Sequence, residues 1–219
     1  MAGLETSVNS ILTKMRTNYQ TGKGIYGEQA VFKICEQFYQ KEGGILIHSY
    51  SYKVDKELKG NIKRDERGKL WTENLGDRTE IDVLYVSKNR VFPIEVKAYR
   101  AKQITFDDAG VYGCFKTDKS PIHQNEMHCR HLYSYLFKSL PHGGTDYIVP
   151  LVCMVDKAQL VDDRSDWQKE YIKLCTLNNL EETIRKLNTP LDCRLNIQAI
   201  NNTLKEINTS SEKWLPPRF

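Results

Sequence analysis

The chain has 219 residues, 40% hydrophobic and 27% charged, with a formal net charge of +4. It is long enough for one full-sized domain or two small ones; it lacks the roughly 18 consecutive apolar residues of a membrane span, and its mixed-polar start is not built like a signal peptide, so a cytoplasmic protein is expected. Its six cysteines include no C-x-x-C pair and several lie in apolar runs, which argues against disulfides and a cysteine zinc site, while the positive charge is compatible with a polyanionic partner.

Leu4, Val8, Ile11, Leu12 and Met15 recur at helical spacing, so an N-terminal helix is expected within residues 1–20. Thr21-Gly22-Lys23-Gly24 lacks the Walker spacing of a phosphate loop and reads as a linker. A helix from about Tyr26 to Gln40 carries Val31, Cys35 and Phe38 as a core stripe, with Glu28 on that stripe one turn before Val31. Glu28 is either an acid aimed at the interior or an N-terminal acid favoured by the helix dipole. Gly43-Gly44 leads into a strand from Ile45 to Tyr52, and Lys53 to Asn74 is a polar excursion rich in Lys and Arg, either solvated or touching phosphate.

Thr79–Val86 and Val91–Ala98 read as a hairpin joined by Ser87 to Arg90. Asp82 is a lone acid in an apolar strand, where Asp is disfavoured. Pro93 cannot donate to a ladder, so a bulge or an unpaired position is expected there. In Ile94-Glu95-Val96-Lys97, alternation sends Glu95 and Lys97 to one side and Ile94 and Val96 to the other.

Tyr99 to Lys119 reads as a loop. Ser120 as N-cap and Pro121 at the first position open a helix with an apolar face of Cys129, Leu132, Leu136 and Leu140, which Gln124 and His128 approach. Tyr147–Val155 reads as a central strand, Asp156–Lys169 as a charged loop and Tyr171–Thr176 as a strand. Asn178 or Asn179 caps a helix with Leu180, Ile184 and Leu187; Ile197, Ile200, Leu204 and Ile207 mark a last helix before a polar tail. The order implies one α/β domain over residues 1–219, a central mixed sheet flanked by helices, with core about 24–187 and additions at 1–20 and 190–219.

Asp82 and Glu95, on neighbouring strands, would have Cβ atoms roughly 5 Å apart. Two carboxylates facing one way make a hard oxygen site suited to Mg²⁺ or Mn²⁺ rather than zinc, with Lys97 beside it. Such a group fits phosphodiester hydrolysis. At these residues the chain resembles the PD-(D/E)XK nuclease superfamily, with Glu80-Ile81-Asp82 as the first motif and Glu95-Val96-Lys97 as the second. It is similar more closely to the NERD (nuclease-related) domain through Gly27-Glu28, Thr79-Glu80-Ile81-Asp82, Ile94-Glu95-Val96-Lys97 and Ser120-Pro121-Ile122-His123-Gln124. The resemblance implies a restriction-endonuclease-like core and a Mg²⁺-dependent deoxyribonuclease, Mn²⁺ substituting, with DNA as partner. It implies metal ligation by Asp82, Glu95 and the Val96 carbonyl, Lys97 as catalytic lysine, Glu28 completing the cluster directly or through water, and Gln124 orienting Lys97 or a phosphate. The chain departs from the pattern at Ile81, where the superfamily nominally has proline, at Pro93 and in the basic excursion.

His123, His128, Cys129 and His131 lack partner ligands at zinc spacing and are read as ordinary helix residues, with room for one histidine facing DNA. Trp71, Tyr99, Phe106 and Tyr112 either stack on bases or pack in the core. No G-x-S-x-G elbow, nucleotide-cofactor motif or membrane segment appears. Two functional classes follow: a metal-dependent endo- or exonuclease acting on DNA, with a homodimer as a candidate assembly, and a non-catalytic DNA-binding or assembly module that keeps the nuclease fold.

Overall fold

In the computed structural model residues 26–54, 78–99, 101–113, 120–155 and 157–218 are described. The expected N-terminal helix, the Thr21–Gly24 linker, most of the basic excursion and Trp71 lie outside them. Helix α1 covers residues 26–42 and leads into β1 (Gly44–Lys53), β2 (Arg78–Val86) and β3 (Val91–Lys97). Next come β4 (Gln103–Asp107), β5 (Gly110–Tyr112), α2 (Pro121–Leu136) and β6 (Leu151–Met154). The chain continues through β7 (Gln159–Asp162), α3 (Asp166–Tyr171), β8 (Lys173–Thr176) and α4 (Leu180–Leu187). It closes with α5 (Ile197–Ile207), β9 (Asn208–Ser210) and β10 (Lys213–Arg218).

The central sheet runs β10-β1-β2-β3-β6-β8, with β9 also paired to β1. Neighbours from β10 to β3 are antiparallel, whereas β3, β6 and β8 are mutually parallel. Parallel neighbours need a crossover, and α2 lies on the one between β3 and β6. Each face is covered by helices. Val31, Cys35 and Phe38 of α1 and Leu180 and Ile184 of α4 pack on Leu46, Val83, Tyr85, Ile94 and Val96. On the opposite face Cys129, Leu132 and Leu136 of α2 and Ile200 and Leu204 of α5 pack on Ile45, Ile47, Leu84 and Val86. The result is the expected mixed α/β architecture of a central sheet flanked by helices.

Four segments differ from expectation. The Tyr99–Lys119 loop contains β4 and β5, and the charged loop after Val155 contains β7 and α3; β5-β4-β7 form a second, three-stranded sheet. Their apolar alternation is only a few residues long, too short for periodicity to register. Ile104 and Phe106 are nonetheless fully buried against Val152, Met154 and Ile172. Phe106 is therefore core and not a base-stacking platform. Asp107 turns this hairpin, its Oδ1 accepting from the N–H groups of Ala109 and Gly110 at 2.8 Å each. The central strand begins at Leu151, since Tyr147 closes a 3₁₀ turn.

The fourth difference is the tail, which forms β9 and β10 on the edge of β1. Trp214 of β10 meets Tyr50 edge-on at 5.9 Å, and Pro216 and Pro217 are tolerated because β10 is an edge strand.

Candidate active site at the parting of β2 and β3

The register of β2 and β3 determines which backbone groups are free. Ser87 N donates to Arg90 O at 2.8 Å, so this pair is hydrogen-bonded, and the pairing alternates through Val86–Val91 and Tyr85–Phe92 to Leu84–Pro93. Leu84–Pro93 is then a non-hydrogen-bonded pair, and the ladder with β2 loses nothing to the proline. On the other side, Val149 N donates to Val91 O at 2.8 Å and Val155 N to Lys97 O at 3.0 Å, so odd-numbered residues of β3 bond toward β6. The missing N–H of Pro93 falls there. Asn125, fully buried on α2, ties the two strands together beside this defect: its Nδ2 donates to Pro93 O at 3.2 Å and to Leu151 O at 2.7 Å.

The β2–β3 ladder stops at Val83–Ile94, one rung before Asp82 and Glu95 would face each other. Asp82 replaces the next backbone bond with its side chain, Oδ2 accepting from Val96 N at 2.7 Å. Even-numbered residues of β3 face β2, so the Val96 carbonyl opens toward the same gap. On the other flank Asp82 stands across from Ser49, whose φ is 50°, and the side-chain alternation slips there: Ile47 and Tyr50 share one cluster, as do Leu84 and Ile81. An aspartate belongs in this strand because the ladder opens on one side and slips on the other.

Ile94 and Val96 pack under α1, and Glu95 points to the α2 side. Glu95 is 1% exposed; Lys97 Nζ is ion-paired with its Oε1, and His128 Nδ1 lies 3.5 Å from its Oε2. Burial pushes the Glu95 carboxyl up and Asp82 adds to this, with Lys97 opposing. For Lys97 burial acts downward, but Glu95, Asp82 and Glu28 outweigh it and hold the ammonium above its ordinary range. Burial, then Lys97 and His131, push His128 down to about 3, so it is a neutral imidazole at neutral pH. At 3% exposure His128 stands beside Glu95 inside the protein and not at its surface. Burial also raises Asp82; Lys97 and the Val96 N–H pull the other way.

Glu28 arrives from α1. Its neighbour Gly27 sits against the residue after β6: an added Cβ would meet Val155 Cγ2 at 2.6 Å. A larger residue would require Val155 or the start of the helix that carries the acid to shift. Glu28 is pushed up to about 7 by burial first, then by Asp82, Glu212 and Glu80, with Lys97 opposing. Its Oε2 lies 3.8 Å from Nε2 of His48, a residue of β1 whose Nδ1 is 2.8 Å from Glu212 Oε2. His48, Glu212 and the Glu95 contact of His128 escape sequence reasoning. The one available signal was a histidine in the otherwise apolar opening of β1; Glu212 has none. Gln124 is half-buried one turn before His128 on α2, and among the described residues its side chain is not hydrogen-bonded to Asp82, Glu95 or Lys97.

Asp82, Glu95, Lys97 and Glu28 thus form one electrostatically coupled group. Among the described residues no three Asp, Glu, His or Cys side chains converge as a ready-made ligand set. Mg²⁺ does not need one, because it binds through one or two carboxylates and keeps several waters. The donor set at the gap, two carboxylates and a backbone carbonyl, fits such an ion, and Glu95 Oε2 accepts no hydrogen bond. An open cleft of about 340 Å³ lined by Arg164, Lys169, Lys173 and Lys186 lies elsewhere, between β7, β8 and α4, and shares no residue with this group.

The nuclease-related domain model matches residues 23–155, more than half of the chain. The chain belongs to the nuclease-related domain family. No curated protein and no solved structure matches it. The nuclease-related match includes Glu28, His48, Asp82, Glu95, Lys97, Gln124 and His128, whereas Glu212 lies beyond it. No helix among the described residues is long and apolar enough to cross a membrane.

Proposed function

We propose that this nuclease-related chain is a metal-dependent nuclease hydrolysing DNA phosphodiester bonds, with Mg²⁺, or Mn²⁺ in its place, held by Asp82, Glu95 and the Val96 carbonyl and by Glu28 directly or through water. The observation that carries the reading is the gap where β2 and β3 part: the half-buried carboxylate of Asp82 and the buried one of Glu95 flank it, with a lysine already paired to Glu95. A cation bound there supplies an acidified water and neutralises charge on the phosphate. The protein does the rest. The Val96 N–H fixes the Asp82 carboxylate, and neutral His128 backs Glu95 without competing for its charge. Lys97, tethered by Glu95, presents its ammonium to the attacking water or to a phosphate oxygen whose charge grows in the transition state. Gln124, not bonded to Lys97 among the described residues, would orient it or a neighbouring phosphate once substrate is bound.

Plasmid, linear duplex and single-stranded DNA incubated with Mg²⁺, Mn²⁺ or EDTA test this. Cleavage is expected with either metal and not with EDTA, and K97A and D82A are each expected to slow it at least about 10²-fold. Cleavage indifferent to both substitutions overturns the assignment. If cutting is symmetric across a duplex, two sites and hence a dimer are required, which sedimentation at working concentration would show.

A second reading, a non-catalytic DNA-binding or assembly module, is favoured by the lack of a ready three-side-chain ligand set and by the neutralisation of Glu95 by Lys97. Tight DNA binding unchanged in D82A, E95A and K97A, with no hydrolysis of any substrate, would establish it.

A further inference from the structure

His48 is 6% exposed, and its ring packs on Phe32 of α1 at a centroid distance of 5.3 Å. Both ring nitrogens face carboxylates. Nδ1 is 2.8 Å from Glu212 Oε2, and the Glu212 backbone N–H donates to His48 O at 3.0 Å, so Glu212 holds this residue by main chain and side chain together. Nε2 is buried without a hydrogen bond and lies 3.8 Å from Glu28 Oε2. A buried imidazole that only needed satisfying would be content with one such partner; here the second nitrogen is aimed at a carboxylate of the acidic group.

Glu212 sits in the turn between β9 and β10, which follow the nuclease-related match. That hairpin is tied to α1 as well as to β1. Lys213 Nζ is 2.9 Å from Glu36 Oε1 and 4.8 Å from the Phe32 ring centroid, Tyr39 Oη donates to Pro216 O at 2.8 Å, and Arg218 Nη1 to Gln40 Oε1 at 2.6 Å. The helix that carries Glu28 and the strand that carries His48 are therefore joined through the C-terminal hairpin.

We infer that Glu212 and His48 are positioning residues: the C-terminal hairpin supplies Glu212 to fix the His48 ring, and His48 holds Glu28 at the acidic group. This inference rests on the metal-dependent reading for its consequence and on geometry alone for the contact. Carboxylate–histidine pairs behind a ligand typically govern metal affinity about 10- to 100-fold. Glu212 suits the test because its side chain is 62% exposed and its truncation leaves no cavity.

The experiment compares wild type, E212A, E212Q, E28A, E28A/E212A and D82A. Titration calorimetry with Mn²⁺ is expected to show about 10-fold weaker binding in E212A, near-normal binding in E212Q, whose amide oxygen still accepts from Nδ1–H, and no further loss when E212A is added to E28A. A purely structural role would weaken binding equally in both backgrounds, and that result overturns the inference, as does unchanged affinity in E212A. Both nitrogens face carboxylates, so the Glu28 contact needs a proton between Nε2 and Oε2 besides the one on Nδ1; long-range ¹H–¹⁵N spectra of the metal-free protein are expected to show both ring nitrogens hydrogen-bonded in wild type and E212Q, and Nδ1 released in E212A. If wild type binds no Mn²⁺, or D82A binds it equally well, the metal reading fails separately. Metal-free crystal structures of wild type and E212A then decide: a displaced Glu28 carboxylate supports the contact, and an unmoved one overturns it.

Discussion

Lys97 and Glu95 show how much one ion pair depends on its partner. Glu95 has no water to fall back on, so removing the lysine leaves a buried carboxylate that costs about 3 kcal/mol or more. K97M is expected to lower the metal-free unfolding free energy by about that amount at pH 8, less as pH falls because the carboxyl can take a proton, and K97M/E95Q is expected to recover most of the loss. Urea unfolding measures both. The loss should not appear in K97R. Glu28 gives a prediction of definite sign. Its folded-state value is raised to about 7, so folding favours its protonated form: the stability it contributes is complete below its unfolded value near 4.5 and is lost as pH rises through about 7. In metal-free protein E28Q is therefore expected to raise Tm at pH 8 and leave it unchanged at pH 4; a rise at both would show that packing, and not charge, is responsible. The pairing of Glu95 with Lys97 was legible from alternation. The neutral His128 beneath it was not, because a histidine on an apolar helix face looks the same whether it packs or faces solvent.

At the level of elements, Pro93 is the informative residue. A proline in a central strand breaks the usual rule, and alternation alone could not say which neighbour it would fail to bond. The register places the defect on the β6 side, where the buried amide of Asn125 ties β3 to β6 through the carbonyls of Pro93 and Leu151. N125A leaves two buried carbonyls without that donor and is expected to cost about 2 kcal/mol in urea unfolding, while N125D, which cannot donate when ionised, should cost at least as much. If N125A is neutral, another donor serves Pro93. The helices were readable from their stripes: Val31, Cys35 and Phe38 of α1 and Leu180 and Ile184 of α4 are all buried as their spacing demands. The second sheet was not, since β4 and β7 each offer too few alternating residues to distinguish a strand from a loop.

Across the whole molecule, the C-terminal segment is part of the sheet. β10 covers the outer edge of β1 and brings Trp214 against the buried tyrosine pair Tyr50 and Tyr52, which stack at 5.2 Å. Truncation after Ile207 would expose a ten-residue, almost wholly buried strand as a free edge. The truncated chain is expected to aggregate on gel filtration or melt at least about 5 °C lower, the shift that roughly 1–2 kcal/mol produces in a domain of this size. An unchanged Tm and a monodisperse peak would show that the sheet is complete without it. The sequence reading treated these residues as a polar tail because Pro216-Pro217 and scattered charges hide a strand; only its place at an edge makes prolines acceptable.

Sequence alone singled out Asp82, Glu95 and Lys97 and the family to which the chain belongs, because these residues lie on a hairpin whose pairing is local. The mixed character of the sheet followed from the same order of elements. Tertiary structure decided the rest: where β2 and β3 part, how Asp82 takes the place of a backbone acceptor, and that a histidine of β1 and a glutamate of the last turn stand behind Glu28. Those contacts join residues 20 to more than 160 positions apart, and no periodicity along the chain encodes a meeting that depends on how strands separated by whole elements come to lie side by side.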